Sequence, residues 1–124
     1  ACCLIKFKDD DTDEVEYTDV ACQLLDCQTA ACSKYAARRD YVPDCISLSP
    51  DNIEQMDWLP ASCAYKRLHR GQPLPNWHWL NTQDRALTQR LMQEKNISVA
   101  GRCQSETEVD EMAQEQRIIH WIRQ

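Results

Sequence analysis

Apolar and polar side chains alternate most clearly near the start of the chain. In "EVEYTDV", Val15 and Tyr17 alternate with Glu14, Glu16 and Thr18, the period of a half-buried strand. The preceding "KFKDDDTDE" is acidic and predicts a turn leading into that strand. Asp9, Asp11 and Asp13 have the spacing of a calcium loop, but Glu14 stands where such a loop needs Gly and Val20 where it needs a bidentate Glu. A solvated acidic turn is therefore expected. The next stretch, "ACQLLDCQTAACSKYAARR", carries cysteines five residues apart, which on a helix would rotate ~140° per step and could not share a face. If several of them serve one site, the stretch must bend.

Further along, the pattern becomes helical and is punctuated by Pro. "SLSPDNIEQMDWLP" predicts a short helix with Ser49 as N-cap, Pro50 at the first helical position and Pro60 past the end. "ASCAYKRLHRG" predicts a second, capped by Ser62, with Cys63 in the first turn and Gly71 as a left-handed terminator. In "NWHWL" the indoles of Trp77 and Trp79 are expected against the core, with His78 pointing outward. "TQDRALTQRLMQEKN" predicts a helix through Leu87 and Leu91, and "ISVAGRC" a short strand. The tail has Ser105 and Glu108 at capping-box spacing and ends on Ile118, Ile119, Trp121 and Ile122, a helix or a helix plus an extension. The expected class is α+β: a small irregular single domain over 1–124, with short helices and a small antiparallel sheet around cysteine-bearing loops.

Composition narrows the function. The 124 residues carry a net charge of −6 and no basic run, which argues against binding nucleic acid through its phosphates. No stretch approaches the ~18 apolar residues of a membrane span, so a soluble protein is expected, and a cytoplasmic one on the metal-binding reading. Two Gly leave no room for a phosphate-binding glycine loop, and no HExxH pattern or Cys–His pairing can be read from the spacing. No catalytic constellation emerges. With one Phe, the core is modest and would gain from cross-links or metals.

Eight cysteines stand out: Cys2, Cys3, Cys22, Cys27, Cys32, Cys45, Cys63 and Cys103. They crowd the first half of the chain, whereas a disulfide framework usually staples the whole of it. Thiolates that share a metal come conveniently from a short sequence range. Metal ligation is the favoured reading, with disulfides and plain buried thiols as alternatives.

The segments "CCLIKF", "DDDTDEVEYTDVACQLL", "CSKYAARRDYVPDCISLSPDNI", "WLPASCAYKRLHRGQPLPNWHWL" and "ISVAGRC" resemble the YcgN-like branch of the bacterial CxxCxxCC cysteine-cluster family, across nearly the whole chain. The resemblance implies that Cys2 and Cys3 are the last two cysteines of that motif, with two more expected upstream. It also picks out Cys22, Cys32, Cys45 and Cys63 as metal-site residues, with Tyr35 and Arg38 beside them, and it implies a zinc- or iron-chelating domain. Cys27 and Cys103 match no family position and are expected to be bland thiols.

With its upstream cysteines the motif would offer eight thiolates, too many for one tetrahedral zinc and suited to two metals or an iron–sulfur cluster. Spacing does not separate zinc from iron. Neighbouring side chains diverge in extended backbone, so Cys2 and Cys3 are not expected to chelate one ion together. The leading expectation is a small metal-binding protein with a structural or metal-handling role and a metal ion as its partner. An iron–sulfur redox or radical enzyme component and a disulfide-stabilised binding module are the alternatives.

Overall fold

The computed structural model describes residues 2–124, and the chain forms two compact units. One comprises Cys2–Ser47 with Val99–Trp121, the other Leu48–Ser98 with Ile122–Gln124. The α+β class expected from the sequence is what the structure has.

In the first unit, strand β1 (Leu4–Lys8) pairs antiparallel with β2 (Val15–Ala21) across the acidic turn. Asp9 organises that turn: its Oδ1 accepts from the backbone N–H groups of Asp11 and Thr12, and its carbonyl accepts from Asp13. The acidic side chains remain in water, as expected. The register shifts between Leu4 and Lys6, and the hydroxyl of buried Thr18 donates to the Ile5 carbonyl at 2.7 Å within the irregular stretch. A buried carbonyl without a partner would cost about 1–3 kcal/mol, so this hydroxyl supports the bulge.

β2 is paired on both edges, and Tyr17, Thr18, Val20 and Ala21 are all buried instead of strictly alternating. Its second edge takes β5 (Gln104–Ser105) in parallel, so the sheet is mixed, and Thr18 bridges Ile118. The apolar tail is thus an extension along β2, with the Ile119 N–H donating to Tyr17. The segment before it, Glu111–Arg117, is a 3₁₀ helix capped by Asp110, and Arg117 pairs with Asp19 at 2.7 Å. Ser105 caps only a short 3₁₀ turn, Glu106–Glu108. The expected strand over "ISVAGRC" is instead a turn, in which Arg102 donates to Val99 and Gly101 has φ +72°, a conformation natural to Gly.

The cysteine-spaced stretch does bend. Strands β3 (Leu25–Asp26) and β4 (Ala31–Cys32) form a hairpin whose loop holds Cys27 and ends on Ala30 at φ 60°. A 3₁₀ turn (Tyr35–Ala37) and helix α1 (Arg38–Tyr41) follow.

In the second unit, "LSPDNIEQM" forms a 3₁₀ turn, Ile53–Gln55, rather than a helix. Ser49 caps nothing: Asn52 Oδ1 accepts from the Ser49 N–H at 2.9 Å and closes a tight turn instead. Helix α2 (Ala64–His69) begins one residue later than expected, with Cys63 at its N-cap, and Gly71 terminates it at φ +72°. His78 caps α3 (Trp79–Thr82) through Nδ1, and Asp84 caps α4 (Arg85–Glu94). Lys66 is buried on α2, where its ammonium donates to the carbonyls of Asp57 and Leu59, both at 2.7 Å.

Candidate metal centre

The β1–β2 register places two cysteines side by side. Leu4 pairs with Ala21, and one residue beyond, the Cys22 N–H donates to the Cys3 carbonyl at 2.8 Å. The chain then turns at 22–25, where Leu25 donates to Cys22, and enters the β3–β4 hairpin. That hairpin returns Cys32 opposite Leu25, and the Ser33 N–H donates to Leu24 at 2.7 Å. Cys22 and Cys32 therefore lie at the hairpin's open end and Cys27 at its loop. Cys45 follows α1, its N–H bonded to Val42. Arg38 secures this segment: its guanidinium stacks 4.2 Å from the Tyr35 ring centroid, donates to the Tyr35 carbonyl and reaches the Ser47 hydroxyl at 2.8 Å. Tyr35 and Arg38 thus form one clamp beside Cys45.

The electrostatics gather these thiols into one neighbourhood. Burial pushes the Cys22 thiol above its ordinary pKa, and the negative charges of Glu106, Cys32 and Cys45 push it further. The Leu24 N–H, directed at the Cys22 sulfur, acts the other way by favouring the thiolate. Glu106 is held in place by the Gln23 N–H, which donates to Oε2 at 3.0 Å. Cys22 also bears on Cys3, so Cys2, Cys3, Cys22, Cys32 and Cys45 form a chain of interacting donors within one unit. Mutual repulsion among neighbouring thiolates is what a bound cation relieves.

The adjacent cysteines depart from the expectation of diverging side chains. They lie in a turn, and the Cys3 thiol donates a hydrogen bond to Cys2. That bond, together with the nearby Lys6 ammonium, brings the Cys2 pKa down to about 5, while Cys3, keeping the shared proton, is raised. Lys6 donates to the carbonyls of Cys2 and Leu4 and lies 5.4 Å from the Tyr17 ring centroid. Burial lowers its own pKa, partly offset by the two thiols.

All eight cysteines are free thiols. Among the described residues, no three His, Cys, Asp or Glu side chains are yet close enough to hold an ion together. The donor set nevertheless suits zinc or iron: soft sulfurs on short segments, one of them supported by a backbone N–H. Closing them on an ion would require side-chain rearrangement on binding, the usual coupling of metal uptake to local ordering.

A family model described as "Putative zinc- or iron-chelating domain" matches residues 1–64. A UPF0260 protein of Parvibaculum lavamentivorans is 47% identical over 97% of this chain and 76% of its own length. The chain belongs to the CxxCxxCC family. A UPF0260 protein of Shewanella frigidimarina is 48% identical over 87% of the chain and 70% of its own length, and one of Pseudomonas entomophila is 47% identical over 95% and 76%. No solved structure matches.

The CxxCxxCC match includes every cysteine expected at the metal site and leaves Cys103 outside. Of the expected residues, Cys2, Cys3, Cys22, Cys32 and Cys45 belong to the first unit, and Cys63 to the second. Sequence reasoning missed Glu106 and Lys6, the two charges that bear directly on these thiols. It also missed that Cys27 and Cys103 line one groove, their segments tied by the Gly101 N–H to the Cys27 carbonyl. Only the hairpin, invisible in a pattern without glycine, could have shown that pairing.

Proposed function

We propose that Cys2, Cys3, Cys22, Cys32 and Cys45 are thiolate ligands of a zinc or iron centre, with a structural or metal-handling role. The observation that carries this reading is the Cys22 neighbourhood. A desolvated thiol there lies within electrostatic range of Cys3, Cys32, Cys45 and Glu106, and a backbone N–H already favours its anion. The family's zinc- or iron-chelating description supports metal binding independently. The family resemblance also names Cys63, which belongs to the other unit, as a metal-binding thiol in its own right. Bound metal would supply cross-linking that the small buried apolar set of Leu4, Tyr17, Val20, Ala21, Leu24 and Val99 provides sparingly. Free thiols also suit a reducing, cytoplasmic setting.

Cobalt(II) titration tests the proposal, because thiolate coordination gives an intense near-ultraviolet charge-transfer band. The expected result is saturable binding with that band, weakened in Cys32→Ser and in Cys45→Ser. A titration without the band, or one unchanged in both variants, would overturn it.

A further inference from the structure

The two cysteines outside the proposed ligand set meet each other. Cys27 stands at the start of the β3–β4 loop, where Asp26 Oδ1 accepts from Gln28 and Thr29 and the Asp26 carbonyl accepts from Ala30. Cys103 stands between the Gly101 turn and β5. The Gly101 N–H donates to the Cys27 carbonyl at 2.6 Å, tying the two segments backbone to backbone, and the two thiols bear on each other electrostatically. Both are partly exposed and line an open groove of about 460 Å³. Of the residues lining it, the charged ones are Asp26 and Glu108, both acidic, alongside Gln28 and Gln104.

We propose that Cys27 and Cys103 are a redox-active dithiol that is oxidised to an intramolecular disulfide by small disulfides, preferentially amine-bearing ones. Thiols that line one groove on tied segments need mainly side-chain rotation to approach the ~2 Å sulfur separation of a disulfide. The Cys27 thiolate attacks one sulfur of RSSR, giving Cys27–S–S–R and a thiolate that leaves as RSH after taking a proton. Cys103 then loses its proton and attacks the Cys27 sulfur, expelling the second RSH. Two protein thiols and RSSR become one protein disulfide and two RSH. Burial and the nearby Cys27 thiol push the Cys103 thiol up to about 12, so Cys27 is the attacking sulfur and Cys103 the resolving one. The acidic groove attracts a cationic disulfide and repels an anionic one.

The test is oxidation of the purified, metal-loaded protein with cystamine and, separately, with oxidised glutathione, followed by peptide mapping without reduction. The expected product is a Cys27–Cys103 cross-link, formed several-fold faster with cystamine at low salt and with bound metal retained. In Cys103→Ser, cystamine should stop at a mixed disulfide on Cys27. Absence of the cross-link in the wild type, or equal rates with both oxidants, would overturn the proposal. Loss of bound metal in both Cys27→Ser and Cys103→Ser would also overturn it, assigning the pair to the metal centre instead.

Discussion

Replacing Cys22 by Ser separates its proposed role as ligand from its role in the fold. Serine is close in shape, and its hydroxyl can accept the Leu24 N–H that now points at the sulfur. The backbone bonds from Cys22 to Cys3 and from Leu25 to Cys22 do not involve the side chain. Metal-free stability should therefore change by no more than about 1 kcal/mol. Metal affinity should change far more. A structural zinc site contributes roughly 10–16 kcal/mol, so one ligand of four accounts for about 3 kcal/mol, or a weakening on the order of 100-fold. Urea melts with and without zinc, and competition against a chromophoric chelator, measure both quantities. A variant that binds zinc like the wild type would refute the assignment. So would one whose metal-free form loses ~3 kcal/mol of stability while its affinity stays intact.

Other expectations follow from single contacts. Alkylation of Cys2 in metal-free protein should titrate near pH 5, not near the ordinary thiol value of 9.0, and Lys6→Gln should move that midpoint upward. Because folding depresses the Cys2 pKa, its stabilising contribution is full above pH 9 and is lost as pH falls through about 5; peptide mapping of alkylation rates gives the midpoint. Ala30→Gly should raise metal-free stability by about 0.5–1 kcal/mol in urea melts, since left-handed backbone costs a non-glycine residue roughly 1–2 kcal/mol and glycine's added chain entropy returns part of it. Lys66→Met should lose about 2–3 kcal/mol in the same assay, because two carbonyls lose their donor. Cys45→Ser and Cys63→Ser should each lower metal content by mass spectrometry of the native protein, whereas Cys103→Ser should leave it unchanged.

How much was legible in the sequence depended on whether the signal was local. The β2 strand, the α4 helix, the acidic turn and the Gly71 terminator were readable because alternation, apolar spacing and positive φ act within a few residues. "SLSPDNIEQM" was misread because Asn52 competes for the Ser49 backbone and closes a turn before a helix can start. "ISVAGRC" was misread because Gly101 reverses the chain there. The two compact units left no composition shift to mark them, since the first is assembled from the two ends of the chain. At the site, the family resemblance named the cysteines. Their electrostatic coupling through Cys22, and the withdrawal of Cys27 toward Cys103, come from the β3–β4 hairpin, a long-range arrangement that spacing alone does not encode.

The most direct test of the central claim is the zinc, iron and acid-labile sulfide content of protein purified without oxygen, with its absorption spectrum. At least one zinc or iron per chain is expected, reduced in Cys22→Ser; stoichiometric sulfide with iron would specify a cluster, and colourless zinc a closed thiolate site. A folded protein with only trace metal, and no uptake when zinc or iron is supplied under reducing conditions, would contradict it.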